Sequence, residues 1–278
     1  MALPSALRYV APNLVTSLAM LLGLGSMVLT TQGEYVTAAW FIVWSTFLDR
    51  ADGFVARLLK ATSEFGVQMD SFADFFNFGV VPSFLVYSAL AHVPELQSGS
   101  GHLLLLVAAA AWIFACTFRL ARFNVIADDP RYRGLFFGIP TTLAAGMLVT
   151  WFLALMKYSA AGAALGGRDR FAEVRLLGDL SLPMSAWSYF PAAMLVGALL
   201  MVSNLRIRKP SGGRSPLGIV TLLIMLSGLV FGVLRLFPEY LLIPPTVFTL
   251  IWLFRQPSRS LRSIDAPPRI PVARVDPP

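Results

Sequence analysis

The sequence has a single cysteine, Cys116, and only two histidines, His92 and His102, among its 278 residues. One cysteine excludes an intrachain disulfide framework and a cysteine-based zinc site. The two histidines lack the spacing of a metal-binding motif. We therefore expect Cys116 to pack in the interior and both histidines to lie at the surface.

Charged residues are also scarce, at 13% of the chain, whereas soluble proteins contain about 25%. Hydrophobic residues make up 56%, which predicts an all-α integral membrane protein. The net charge of +7 does not indicate nucleic-acid binding, because the basic residues are scattered between apolar segments and form no single patch.

The apolar runs predict a polytopic bundle of about eight transmembrane helices, since about 20 apolar residues cross the hydrocarbon layer. In chain order they span residues 13–31, 36–57, 65–90, 103–123, 140–158, 186–203, 217–236 and 240–254. Pro244 and Pro245 are expected to interrupt the last helix. Ser63 is a candidate N-cap of the third. The glycine-rich segment 162–181 is predicted to be a loop.

An even number of spans places both termini on one side of the membrane, and the lysines and arginines indicate which side. One face receives only five of the 22: Lys157, Arg168, Arg170, Arg175 and Arg235. The other face, with both termini, is therefore predicted to be cytoplasmic.

Four aspartates in the second and third predicted helices are the exception to this apolar pattern: Asp49, Asp52, Asp70 and Asp74. A carboxylate at the bilayer centre costs about 2.5–3.5 kcal/mol on insertion scales, so four together need a reason. A bound divalent cation is one, because hard cations such as Mg²⁺ take oxygen ligands and offset the repulsion between carboxylates.

Helical geometry places these aspartates on two facing stripes. At 100° per residue, Asp49, Asp52, Gly53 and Ala56 share one face, and Gly66, Asp70, Asp74 and Asn77 share another. From the cytoplasmic helix ends, Asp70 lies about 6 Å deep, Asp52 about 8 Å, and Asp49 and Asp74 about 12 Å. We therefore expect Asp52 opposite Asp70 and Asp49 opposite Asp74, around one or two cations in a shallow cavity. Gly53, Ala56 and Gly66 either clear space for a flat ligand or serve close helix packing.

The complete spacing, Asp-x2-Asp-Gly-x2-Ala-Arg-x8-Gly-x3-Asp-x3-Asp from Asp49 to Asp74, resembles the signature of the CDP-alcohol phosphatidyltransferase family. Three further stretches resemble the bacterial phosphatidylserine synthases within it: residues 72–82, 118–124 and 137–142. The third has Thr141-Thr142 where the family usually has proline and alanine. The resemblance covers about residues 10–150.

The resemblance implies an enzyme of the bacterial cytoplasmic membrane that uses magnesium or manganese, as two ions, and works as a homodimer. Its substrates would be CDP-diacylglycerol and L-serine, giving phosphatidylserine and CMP. Asp49, Asp52, Asp70 and Asp74 would bind metal, with Asp74 also the general base. Asp52, Gly53, Ala56, Arg57 and Gly66 would accommodate the nucleotide. Arg119, Arg122 and Asn77 are candidates for the substrate phosphate or the serine carboxylate.

The apolar runs, the composition and the extent of the resemblance together divide the chain into parts. Residues 1–12 would be a short interfacial segment, 13–158 the catalytic transmembrane core, 159–254 the remaining helices and 255–278 a disordered cytoplasmic tail.

Several alternatives stay open at this point. Arg57, Arg119 and Arg122 can equally mark the cytoplasmic edge of the membrane. The acceptor alcohol can be glycerol 3-phosphate, an inositol phosphate or choline in place of serine. Intramembrane carboxylates also occur in cation transporters, although transport sites usually lie nearer the midplane. A structural protein without activity would leave the four carboxylates unexplained.

Overall fold

A computed structural model describes residues 5–59, 61, 63–127, 129–132, 134–159, 175–208 and 226–254. Within them, the chain forms nine α-helical segments, one π-helical turn and a two-stranded ribbon. In order these are α1 Ser5–Thr31, α2 Tyr35–Leu58, α3 Glu64–Asp74, the π-turn Phe75–Val80, α4 Val81–Leu90, α5 Gly99–Ile126, β1 Leu135–Phe137, α6 Thr141–Tyr158, α7 Phe190–Val202, β2 Arg206–Arg208, α8 at 226–233, and α9 Pro238–Phe254. Short 3-10 turns lie at Pro94–Leu96, Pro130–Tyr132 and Met184–Tyr189.

Five helical stretches of the described residues are long and apolar enough to cross a membrane. They are Val10–Thr31, Glu64–Leu90, Gly99–Ile126, Thr141–Tyr158 and Met184–Val202. α2 is 24 residues long, but the acidic motif lies within it and lowers its hydropathy. These helices make the chain an α-helical membrane protein, as the composition predicts.

Most predicted helices are found close to their expected positions, but the prolines act differently from the prediction. α1 begins at Ser5 and runs through Pro12, so the predicted start at Asn13 is wrong. α9 continues through Pro244 and Pro245, so the predicted interruption is also wrong. Proline is tolerated inside membrane helices because hydroxyl side chains and neighbouring helices satisfy the freed backbone groups.

Three predictions fall partly or wholly on residues outside the described ranges. They are the first part of the seventh predicted helix, most of the loop at 162–181, and the tail at 255–278. The ninth helix, α9, packs along α6.

Close packing of small residues brings the central helices together. The Ser26 hydroxyl of α1 donates to the Ala38 carbonyl of α2 at 2.8 Å. Cys116 is fully buried, as predicted, and lies against Gly79, where an added Cβ would be 3.1 Å from its sulfur. The Trp112 indole donates to the Phe78 carbonyl of the π-turn at 2.9 Å. The core thus surrounds the span that carries Asp70 and Asp74.

The two-stranded ribbon was not predicted from the sequence. Its strands are antiparallel, with Phe136 opposite Ile207, and they connect the end of α5 to the end of α7. Gly138 follows β1 with φ +75°, and an added Cβ there would lie 2.1 Å from the Met201 carbonyl oxygen. Only glycine fits this position without displacing α7.

Candidate active site

Three of the four predicted metal ligands lie together between α2 and α3. Asp49, Asp70 and Asp74 each place one carboxylate oxygen within 4.8 Å of the other two. Asp49 comes from the second half of α2, and Asp70 and Asp74 are one turn apart on α3. The sequence interpretation paired Asp49 with Asp74 alone, whereas the structure places Asp49 beside both α3 carboxylates.

Asp52 has a hydrogen-bond partner on α1 that the sequence interpretation did not include. Its side chain is buried, and its Oδ2 accepts a hydrogen bond of 2.7 Å from the Thr16 hydroxyl of α1. Its Oδ1 accepts from the Gly53 backbone N–H at 2.5 Å. Among the described residues, the group of three mutually close carboxylates does not include Asp52. The Asp52 carboxylate is nevertheless close enough to Asp70 to interact with it electrostatically, so its expected place opposite Asp70 stays a prediction.

α1 is the part of the site that the sequence interpretation missed. Thr16 contacts Asp52, and the Asn13 Oδ1 lies where a Cβ on Gly66 would be 3.4 Å away. A signal was present, because Asn13 and Thr16 are three residues apart and so share one face of α1.

The start of α3 is fixed by local chemistry, and the predicted N-cap is confirmed. The Ser63 hydroxyl oxygen accepts from the Gly66 N–H at 3.0 Å, and Ser63 has the extended backbone typical of an N-cap. This cap sets where α3 begins and so the rotation at which Asp70 and Asp74 are presented.

The π-turn directly after Asp74 changes the direction of Asn77. A π-turn adds a residue to the helical repeat, so Asn77 leaves the stripe that a regular helix would have given it with Asp70 and Asp74. Asn77 is 1% exposed, and its Oδ1 lies 2.1 Å from the position of a Cβ on Gly23 of α1. Its Oδ1 has no hydrogen-bond partner in the described part of the chain.

Arg119 is held beside the acidic group by contacts on its other sides. It is buried at 7% exposure, and its guanidinium donates a long hydrogen bond of 3.3 Å to the Thr141 hydroxyl. Its Cζ lies 5.3 Å from the Phe123 ring centre and 5.9 Å from that of Phe136. The guanidinium is close enough to interact electrostatically with the Asp74 carboxylate.

Arg122, one turn further along α5, forms hydrogen bonds that hold neighbouring elements together. Its guanidinium donates to four acceptors at 2.7–3.4 Å: the carbonyls of Phe137, Val202 and Ser203, and the Asn204 side chain. These bonds connect α5 to β1 and to the end of α7. They favour a role in holding the helix ends together over the predicted contact with substrate.

The remaining predicted residues lie on the last turns of α2. Gly53 follows Asp52 directly, and Ala56, one turn later, is half-buried. Arg57 belongs to α2 as well, but its side chain is outside the described residues.

The donor set fits a hard divalent cation. Three carboxylates within 4.8 Å repel one another unless positive charge lies between them. The buried Asp74 Oδ1 has no hydrogen-bond partner among the residues that the structure describes, which leaves it available as a ligand. Oxygen-only donors are typical of Mg²⁺ and Mn²⁺ sites. The cluster can therefore hold metal.

Fold and site together define a helical membrane protein with a carboxylate centre between α2 and α3. The family model for CDP-alcohol phosphatidyltransferase matches residues 9–169, more than half of the chain. The chain belongs to the CDP-alcohol phosphatidyltransferase family. The match includes the acidic cluster, Thr16, Arg119 and Arg122.

Similar proteins carry serine in their names. A CDP-diacylglycerol–serine O-phosphatidyltransferase of Helicobacter pylori is 38% identical over 152 residues, which are 54% of this chain and 60% of that protein. The enzyme of the same name from Bacillus subtilis is 36% identical over 114 residues, 41% of this chain and 58% of that one. An archaetidylserine synthase of Methanothermobacter thermautotrophicus is 30% identical over 144 residues, 51% and 57% of the two chains. The chain thus spans about six tenths or less of the length of these relatives.

Proposed function

We propose that this protein is a CDP-diacylglycerol–serine O-phosphatidyltransferase, which makes phosphatidylserine and CMP in phospholipid biosynthesis. The observation that carries the proposal is the convergence of Asp49, Asp70 and Asp74 within 4.8 Å, inside the segment that matches the family. The relatives favour serine as the acceptor. Their names differ in the lipid, phosphatidyl or archaetidyl, but share serine.

In this proposal the aspartates bind Mg²⁺ or Mn²⁺, as two ions. When bound, the metal would neutralise the diphosphate of the lipid substrate and stabilise the negative charge on departing CMP. Asp49, Asp70 and Asp74 provide the three-carboxylate group, and Asp52 provides a further ligand from the α1 side. Gly53, Ala56, Arg57 and Gly66 accommodate the nucleotide at the mouth between α2 and α3.

Asp74 is the proposed general base. As the serine hydroxyl oxygen attacks the phosphorus that carries diacylglycerol, its proton passes to an Asp74 oxygen. A new P–O bond to serine forms, and the bond between that phosphorus and the bridging oxygen of CMP breaks with its electron pair on CMP. A carboxylate has two oxygens, so Asp74 can take the proton on one while the other faces the metal. Its buried Oδ1 has no hydrogen-bond partner among the described residues.

One buried polar group suits the acceptor. Arg119 carries a positive charge next to Asp74 and can bind the serine carboxylate or the lipid phosphate. Arg119→Ala should therefore raise the KM for serine more than it lowers kcat. Asn77, whose Oδ1 packs against Gly23, has no substrate contact in this proposal.

The proposed topology has eight spans, both termini in the cytoplasm and the active site facing the cytoplasm, in a bacterial inner membrane. Basic residues assigned to the opposite face support it. Arg235 donates to the Thr37 hydroxyl at the start of α2, and Lys157 lies in the last turn of α6. Thr37 is 12 residues before Asp49, a distance of about 18 Å along a helix. A homodimer belongs to the proposal too, on the family resemblance alone.

The test is CMP release by purified protein with CDP-diacylglycerol, manganese or magnesium, and a panel of labelled acceptor alcohols. We expect release to depend on serine and on metal. If CMP is released with glycerol 3-phosphate, an inositol phosphate or choline, but not with serine, that compound is the acceptor in place of serine. Metal uptake into vesicles without any CMP release would favour a transporter.

Asp74→Asn tests whether Asp74 acts as the general base or is needed only for folding. The variant should still insert and bind CDP-diacylglycerol, but lose serine-dependent CMP release, because an amide cannot take the proton. Turnover close to that of the wild type would exclude Asp74 as the base.

A further inference from the structure

Thr16 connects α1 to the acidic motif through one short hydrogen bond. Its hydroxyl lies 2.7 Å from Asp52 Oδ2, across 36 positions of sequence. Both side chains are 5% exposed. Because neither group has much access to water, the hydrogen bond defines much of the local environment of that carboxylate oxygen.

The geometry also indicates where the hydroxyl proton goes. A threonine hydroxyl has one proton, and two acceptors are within reach, Asp52 Oδ2 at 2.7 Å and the Pro12 carbonyl at 3.1 Å. Hydrogen bonds to an ionised acceptor are shorter and about twice as strong as neutral ones. Within α1 the Pro12 carbonyl can accept from the Thr16 backbone N–H, as in any α-helix. The Thr16 hydroxyl therefore donates its hydrogen bond to the Asp52 carboxylate.

We propose that Thr16 is a positioning residue that sets the direction of the Asp52 carboxylate and thereby the affinity of the site for a divalent cation. The inference rests on the proposed function, in which Asp52 is a metal ligand. Carboxylates that bind metals are themselves held by hydrogen bonds, and loss of such an outer partner typically costs about 10–100-fold in metal affinity or activity. Thr16 Oγ1 and the Gly53 N–H hold one Asp52 oxygen each.

Two variants distinguish a positioning role of Thr16 from a packing role, because the two roles predict opposite orders of damage. Thr16→Val keeps the shape of the side chain and removes the hydroxyl, whereas Thr16→Ser keeps the hydroxyl and removes a methyl group. If the hydroxyl matters, valine is the damaging change. If Thr16 only fills space where α1 meets α2, serine is the damaging change.

The first measurement is binding of Mn²⁺ alone to the full-length protein in detergent, followed by electron paramagnetic resonance without substrate. Thr16→Val should bind Mn²⁺ about 10-fold or more weakly than the wild type, and Thr16→Ser should remain within about twofold. The concentration of Mn²⁺ that gives half-maximal CMP release should change in the same order. Wild-type affinity in Thr16→Val, or equal losses in both variants, would overturn the proposal.

A double variant tests whether Thr16 acts through Asp52. Asp52→Asn should weaken Mn²⁺ binding by itself, and adding Thr16→Val to it should have no further effect. A further loss in the double variant would overturn the proposal, because Thr16 would then act elsewhere. Thermal unfolding of each variant shows whether it is folded at the temperature of the Mn²⁺-binding assay.

The outcomes for the wild type separate this inference from the proposed function. Mn²⁺ binding without serine-dependent CMP release would contradict the activity, while the Thr16 variants would still test the positioning role. CMP release with unchanged Mn²⁺ binding in Thr16→Val would contradict only the positioning role. A wild type that binds no Mn²⁺ would overturn both.

Discussion

A buried ion pair connects α9 to α6, and its removal should destabilise the protein strongly. Lys157 Nζ lies 2.8 Å from Glu239 Oε1, and their side chains are only 6% and 2% exposed. The Tyr158 hydroxyl donates to the same carboxylate oxygen at 2.5 Å. Glu239 is also in the first turn of α9, where the helix dipole favours a negative charge.

Replacing one partner leaves the other charge buried without compensation, which typically costs about 3–5 kcal/mol. We therefore expect Lys157→Met and Glu239→Gln each to lower the free energy of unfolding by that amount. The double variant should recover most of the loss, because it buries no unpaired charge and its glutamine still accepts from Tyr158. The pair lies at the end of α6, about 24 Å along the helix from Thr141 near the acidic cluster, so CMP release per folded molecule should stay close to that of the wild type.

The assay is reversible unfolding of the detergent-solubilised protein in mixed micelles, followed by tryptophan fluorescence. A double-mutant cycle isolates the interaction between the two side chains. The reasoning fails if either single change stays within about 0.5 kcal/mol of the wild type, the range of ordinary surface substitutions. It also fails if the double variant loses the sum of the two single losses.

Three further changes have expected outcomes in the same unfolding assay. Gly23→Ala should be destabilising and reduce CMP release, because its Cβ would lie 2.1 Å from Asn77 Oδ1. In the matched control Gly146→Ala, the added Cβ would have no neighbour within 4 Å among the described residues. This control should be neutral or stabilise by about 0.5–1 kcal/mol. Equal effects would contradict the close approach. Arg122→Lys should lose more than about 3 kcal/mol, since an ammonium group cannot reach four acceptors placed for a guanidinium; an unchanged unfolding free energy would argue against its architectural role. Ser63→Ala should cost about 1 kcal/mol through loss of the N-cap, whereas Ser63→Asp should cost little, and equal losses would exclude capping.

The helices and the acidic centre could be predicted because their signals are local. Long apolar runs bounded by polar residues predicted most helices, and Ser63 predicted the start of α3. The 3.6-residue period brought Asp70 and Asp74 to one face, and the structure places both within 4.8 Å of Asp49. These features depend on residue type and spacing alone.

The features that were missed depend on contacts between distant residues. The π-turn at Phe75–Val80 changes the helical register, and no residue type in this segment predicts it. As a result, Asn77 turns toward Gly23. The Asp52 carboxylate turns toward α1 because Thr16, far away in sequence, offers a hydroxyl. The ribbon has strands of three residues, too short for a clear alternating pattern, and Arg122 stabilises it from α5. Pro12 stays inside α1 because helix breaking by proline is weaker in a membrane.

The most direct test of the central claim is identification of the lipid product. Purified protein is incubated with CDP-diacylglycerol, Mn²⁺ and isotope-labelled L-serine, and lipid and CMP are measured by mass spectrometry. We predict labelled phosphatidylserine and CMP in equal amounts, and neither from Asp74→Asn. CMP accompanied by phosphatidic acid, with no label in lipid, would contradict the account, because water and not serine would then be the acceptor.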